Sequence, residues 1–209
     1  MGKIILASET VPAAPAAGLG RIWMDSTAKI MCLRDDTGIV SARSENASIA
    51  ALALGAADTW VTDSDMRIPS FGMQARTMFR WVLALSKGAA GAAAPAYTVR
   101  IGAARSVADT ARLVLNGPLQ TAVADDGILT IYVTVRNIGA AGVLQGDMNF
   151  DHNLAATGFA NNATAAVHAT SAGFDNTAAA IAGLYISLSV NAGAAAAWTL
   201  SQLRAEAKW

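Results

Sequence analysis

Four stretches of this sequence alternate apolar and polar residues with a period of two, and turn-forming clusters separate them. In Met78–Leu85 (MFRWVLAL), Phe79, Trp81, Leu83 and Leu85 fall on one side, and Met78, Arg80, Val82 and Ala84 on the other. Ala96–Ile101 sets Tyr97, Val99 and Ile101 against Thr98 and Arg100, and Ile128–Arg136 aligns Leu129, Ile131, Val133 and Val135. Leu184–Val190 sets Leu184, Ile186, Leu188 and Val190 against Tyr185, Ser187 and Ser189. Successive side chains of a strand point to opposite faces, so this period marks half-buried strands. Between Gly, Asn and Asp clusters, strands are expected near 58–68, 75–86, 96–101, 111–115, 128–137, 143–151, 163–171, 183–191 and 197–206. Asp125-Asp126-Gly127 reads as one of the turns. Many short strands joined by such turns predict an all-β, antiparallel β-sandwich of the jelly-roll kind. Ala103–Leu115 and Ala194–Trp209 have helix-friendly composition, but their would-be helical faces are largely Ala, and strands are the reading.

The N-terminal part has a different texture. Lys3–Ala7 reads as a short strand and Val11–Gly20 (VPAAPAAGLG) as extended chain. Arg21–Met24 and Ile30–Arg34 are β-type runs around Asp25-Ser26-Thr27, whose side chains favour turns. Asp35–Gly38 is a second turn, and Ile39–Ala42 a third strand. Such a small meander is marginal alone and must lean on something. Ser44–Gly55 is weakly patterned, open to a short helix or a buried strand. The division expected is a 1–43 arm and hairpin, a 44–56 linker, and a 57–209 sandwich.

Of the 209 residues, 54% are hydrophobic and only 14% charged, with a formal net charge of zero. That balance gives no electrostatic footprint for nucleic acid or an anionic membrane. It also gives little repulsion between copies, which favours an assembly. Every apolar run is broken well short of a membrane span, and the first residues are too short and interrupted for a secretory signal. The single cysteine, Cys32, allows no internal disulfide, consistent with a reducing cytoplasm. It reads as a small buried apolar group. Two matches to the glycosylation sequon, at Asn46 and Asn162, are chance without a secretory route.

No stretch carries recognisable catalytic chemistry. His152 and His168 are the only histidines. Asp147…Asp151-His152 is the nearest approach to a metal motif, and a strand there points the side chains of Asp151 and His152 apart. Asp35-Asp36, Asp63…Asp65 and Asp125-Asp126 lie in or beside turns, which explains them without acid–base work. There is no phosphate loop, dinucleotide fingerprint or nucleophile elbow. The expectation is no enzyme, no metal and no cofactor. Among the tryptophans, Trp81 and Trp198 read as core rather than as a sugar platform. Trp23 on the hairpin and Trp209 at the C-terminus read as contacts between chains, since Trp is enriched at interface hot spots.

The stretch "PAAGLGRIWMDSTAKIMCLRDDTGIV" resembles a short module near the N-terminus of many tailed-bacteriophage virion proteins. Gly18, Ile22, Trp23, Asp25, Lys29, Asp35, Asp36, Thr37 and Gly38 match its pattern. Phe79–Ala122, Val133–Ala160 and Ala169–Thr177 are similar to a widespread group of phage structural proteins with jelly-roll domains. The resemblance implies a virion structural protein, assembled in the host cytoplasm. Within that group the expectation is a capsid decoration or cement protein that forms a homotrimer. Its partner would be the major capsid protein or another virion protein, contacted through the arm and hairpin. Ile22, Trp23, Ile30, Leu33 and Trp209 are the expected interface residues. The alternative is a tail fibre or receptor-binding protein whose jelly roll recognises a host glycan.

Overall fold

Asp25 closes the first hairpin because its carboxylate can reach back to its own turn. One oxygen, Oδ1, accepts hydrogen bonds from the backbone N–H groups of Thr27 (2.9 Å) and Ala28 (2.7 Å), the Asx chemistry that makes Asp a turn former. In the computed structural model, residues 8–37, 39–154, 156–160, 167–193 and 198–209 are described. The expected strand at Lys3–Ala7 lies outside them.

The chain begins with β1 (Ser8–Glu9), β2 (Arg21–Asp25), β3 (Met31–Arg34) and β4 (Val40–Ser48). Three short strands follow: β5 (Leu52–Leu54), β6 (Thr59–Trp60) and β7 (Met66–Arg67). Then come β8 (Met78–Lys87), β9 (Ala96–Gly102), β10 (Thr110–Asn116), β11 (Asp125–Asn137), β12 (Val143–His152) and β13 (Val167–Thr170). One helical turn, α1 (Ala178–Ile181), precedes β14 (Tyr185–Asn191) and β15 (Trp198–Lys208). The protein is all-β, with two sheets facing each other as a sandwich. The larger runs β1-β2-β3-β4-β15-β8-β11-β12-β13, with β5 beside β15. The smaller runs β10-β9-β14-β6, with β7 beside β14. Neighbouring strands are antiparallel apart from β1 and β2, which run parallel.

The inner face of the large sheet is the alternation read from the sequence. Phe79, Trp81, Leu83 and Leu85 of β8 are buried beside Leu129, Ile131, Val133 and Val135 of β11. Val99 and Ile101 of β9, and Ile186, Leu188 and Val190 of β14, face them from the small sheet. Burying each large side chain contributes about 1.5–3 kcal/mol. Trp81 also donates its indole N–H to the Ser64 carbonyl at 2.8 Å, so its polar atom is satisfied inside the core. Gly146 of β12 lets the sheets close. A Cβ there would lie 2.5 Å from Leu113 Cδ2 of β10.

Three expectations change. The 44–56 stretch is strand over much of its length. Residues 44–48 belong to β4 and pair with β15 from Ser44↔Ala207 to Ser48↔Leu203, and β5 also pairs with β15. The meander therefore continues into the body of the large sheet. Asp125-Asp126-Gly127 opens β11 rather than forming a turn, because the Asp125 carboxylate is satisfied indoors. Ser187 and Ser189 are buried although they alternate with apolar residues. Arg100, opposite Ser187 in register, donates from Nε to Ser189 Oγ (2.8 Å), from Nη1 to the Asp109 carbonyl (2.7 Å) and from Nη2 to Asp58.

Candidate interaction surface

The outer face of the large sheet is a broad plane whose side chains fall in register across strands. Glu45, Glu206, Arg80, Tyr132, Asp147 and His168 form one row across β4, β15, β8, β11, β12 and β13. Arg80 is matched to both of its row neighbours and Asp147 to His168, whereas Glu45 and Glu206 stand opposite each other as like charges, and Glu45 pairs with Arg43 at 3.6 Å instead. Arg80 lies 3.7 Å from Glu206 and its guanidinium sits 5.7 Å above the Tyr132 ring. Asp147 meets His168 at 2.7 Å. These pairs are solvent-exposed, so each is worth under about 1 kcal/mol.

The end of the plane built by β2 and β3 is apolar. Ile22 and Leu33 are directly opposite each other and remain 55% and 45% exposed, and Met31 is 62% exposed. With Ser41, Arg43 and Lys208 they line a trough of about 450 Å³. Cross-strand pairing and alternation select these side chains. Ile22 and Met24 point away from the core because Trp23 and Asp25 point into it.

Two of the expected interface residues are therefore corrected. Trp23 is fully buried, registered against Cys32, which faces Ala42. Trp209 is 5% exposed. Its ring packs edge-on to Phe79 at 5.1 Å, and its backbone N–H donates to the Ala42 carbonyl. Both are enclosed because the meander is part of the large sheet, so the core reaches beneath it. Ile30 is half-buried against the core. Ile22 and Leu33 stay on the open face. Met31, Arg43 and Lys208 join them there. Met31 was recoverable from alternation, being two residues from Leu33. Arg43 and Lys208 meet only through the pairing of β4 with β15.

The titratable groups elsewhere are built into the framework. Asp125 Oδ2 receives His152 Nδ1 (2.7 Å) and the Phe159 N–H (3.2 Å), and both side chains are nearly or fully enclosed. Lys87, opposite Asp125 in register, donates to the carbonyls of Gly88, Ala90 and Gly91 and so caps that loop. Burial pulls its ammonium below the ordinary lysine value, partly offset by the charge of Asp125. Cys32 is held protonated, its thiol pushed up to about 11 by burial and then by Asp25. Beside this network, Ser86, Asp126, Asp151, Asn153 and Ser201 share with Ala84, Leu85 and Ile128 the lining of an open groove of about 350 Å³. Among the described residues, no three His, Cys, Asp or Glu side chains converge as a metal site, and no helix is long and apolar enough to cross a membrane.

No protein-family model matches the chain, and no curated protein matches it.

Proposed function

We propose that this chain is a tailed-bacteriophage virion structural protein, a capsid decoration or cement protein that docks on the particle through its N-terminal meander. The observation that carries the reading is the exposed apolar end of the large sheet. Ile22, Met31 and Leu33 stand together on strands whose opposite face is already buried, and a contiguous apolar patch of this kind marks an interaction site. The likeness of Gly18–Gly38 to virion modules supports the same surface. The sandwich, read as a jelly roll, forms the projecting body, and low charge suits close contact between copies in a homotrimer.

The test is cryo-electron microscopy of the intact virion. Density for the sandwich on the capsid lattice, with the β2–β3 face against the shell, is the expected result. Density at the tail alone would favour the second reading, a receptor-binding protein. The groove that Asp126, Asp151 and Asn153 line beside Ile128 supports that reading, since carboxylates and amides bind sugar hydroxyls and an apolar wall can take a sugar face. Glycan-array binding abolished by Asp126→Ala would then identify the groove as the receptor site.

A further inference from the structure

The apolar trough does not end at the meander. Arg43 and Lys208, its rim on β4 and β15, also border a second, smaller pocket of about 160 Å³ lined by Met78, Arg80, Tyr132 and Glu206. Three cations thus surround that pocket against one lining carboxylate, in a chain with zero formal net charge. Glu206 serves Arg80 at 3.7 Å, and Glu45 serves Arg43 from outside at 3.6 Å. Among the described residues Lys208 makes no ion pair. Its neighbours in register are Arg43 and Met78. Met78 and Tyr132 stand beside the cations as the apolar part of the same pocket.

From the geometry we infer that this continuous surface receives an extended segment of a partner protein bearing apolar residues followed by a carboxylate. From Leu33 the path to Lys208 crosses two strand spacings and advances two residues, roughly 12 Å in all. Residues i and i+4 of an extended peptide are about 13 Å apart and share one face. The matching segment therefore carries apolar side chains at i and i+2 and Asp or Glu at i+4. The first two fill the trough beside Ile22, Met31 and Leu33, and the carboxylate lies between Arg43 and Lys208. This partner chemistry rests on the reading of the same face as the docking surface.

The probe is an acetylated, amidated hexapeptide, Leu-Ser-Leu-Ser-Glu-Glu, titrated into the full chain and followed by backbone NMR shifts. Its Leu-Ser-Leu-Ser-Lys-Lys counterpart is the control. The expected result is shifts at Ile22, Leu33, Arg43 and Lys208 with the Glu peptide, little with the Lys peptide, and weaker binding as salt rises. The Arg43→Glu/Lys208→Glu variant, altered only at exposed positions, loses at least about tenfold in affinity for the Glu peptide and gains affinity for the Lys peptide. Equal binding of both peptides, or no shifts at millimolar concentration, overturns the inference. So does either alternative occupant. One is a dimer by sedimentation that Lys208→Glu dissolves, meaning a second copy. The other is pelleting with phosphatidylglycerol vesicles through the same cations, meaning a lipid surface. A chain that assembles on particles yet ignores the Glu peptide refutes this partner chemistry alone. A chain that binds the peptide but is absent from particles refutes the assembly reading alone.

Discussion

Asp25, in the first hairpin turn, and Ser70, in the chain between β7 and β8, share one carboxylate oxygen. Asp25 Oδ2 accepts from the Ser70 backbone N–H at 3.1 Å and from the Ser70 hydroxyl. The other oxygen holds the turn itself. One fully buried carboxylate thus shapes the hairpin and bolts it to the body of the protein. That bolt adds to the β3–β4 and β4–β15 pairing that fixes the meander and its open apolar face.

Replacing Asp25 by Ala strands four donors around a buried site, so Asp25→Ala is expected to cost about 3 kcal/mol. For a chain of this size that lowers Tm by roughly 10 °C. Ser70→Ala alone costs about 1 kcal/mol, and little more in the Asp25→Ala background. A double-mutant cycle by thermal denaturation reads the coupling directly.

How much of this was legible beforehand depends on the range of the interaction. The inward sets on β8, β11 and β14 could be read from alternation because that signal is local. The same rule, applied to Arg21–Asp25, shows that Ile22 and Trp23 cannot share a face. Treating the hairpin as a separate module obscured it. Asp25 was legible as a turn former, but its second partner is 45 residues away. Arg43, Lys208 and Arg80 become neighbours only when β15 inserts between β4 and β8. No local pattern encodes that insertion. The burial of Ser189 had the same kind of cause, since Arg100 reaches it from another strand.

Cys32 gives a prediction with a defined pH window. Its thiol titrates near the ordinary 9.0 in the unfolded chain and about 11 when folded. The folded state therefore holds that proton more tightly. The stability this contributes is complete below about pH 9 and is lost as pH rises toward 11. Burial also raises the Tyr97 phenol, whereas it lowers Lys87, which acts in the opposite sense. Urea denaturation of wild type and Cys32→Ala at pH 8 and pH 10.5 separates the thiol. The variant is expected to lose less stability across that interval. Native Cys32 is also expected to react with a thiol reagent far more slowly at pH 8 than in denaturant.

Gly146 and Leu113 mark where the two sheets touch. Gly146→Ala overpacks this contact and is expected to cost about 1–3 kcal/mol. Leu113→Ala opens a cavity costing about 2–5 kcal/mol. Because the new Cβ occupies part of that cavity, the double variant is expected to be more stable than the sum of the singles. Denaturant midpoints at constant m-value check this.

The Asp125–His152 pair predicts a local effect. Asp125→Ala releases His152 and the Phe159 N–H together. Hydrogen exchange is expected to accelerate most at Phe159 and its neighbours, with the amides of Trp81 and Ile131 exchanging as in the wild type. Uniform acceleration across both sheets would instead mean that the pair supports the whole sandwich.

The account turns on the open face of β2 and β3, and the direct measurement is binding to particles grown without this chain. Wild-type protein and an Ile22→Asp/Leu33→Asp variant, matched by circular dichroism, are sedimented with such particles at equal concentrations. The account predicts that wild type pellets with the capsid and that the variant binds at least about tenfold more weakly, since two apolar contacts are lost and two carboxylates are introduced. Equal binding of the two proteins, or no binding of wild type, would contradict it.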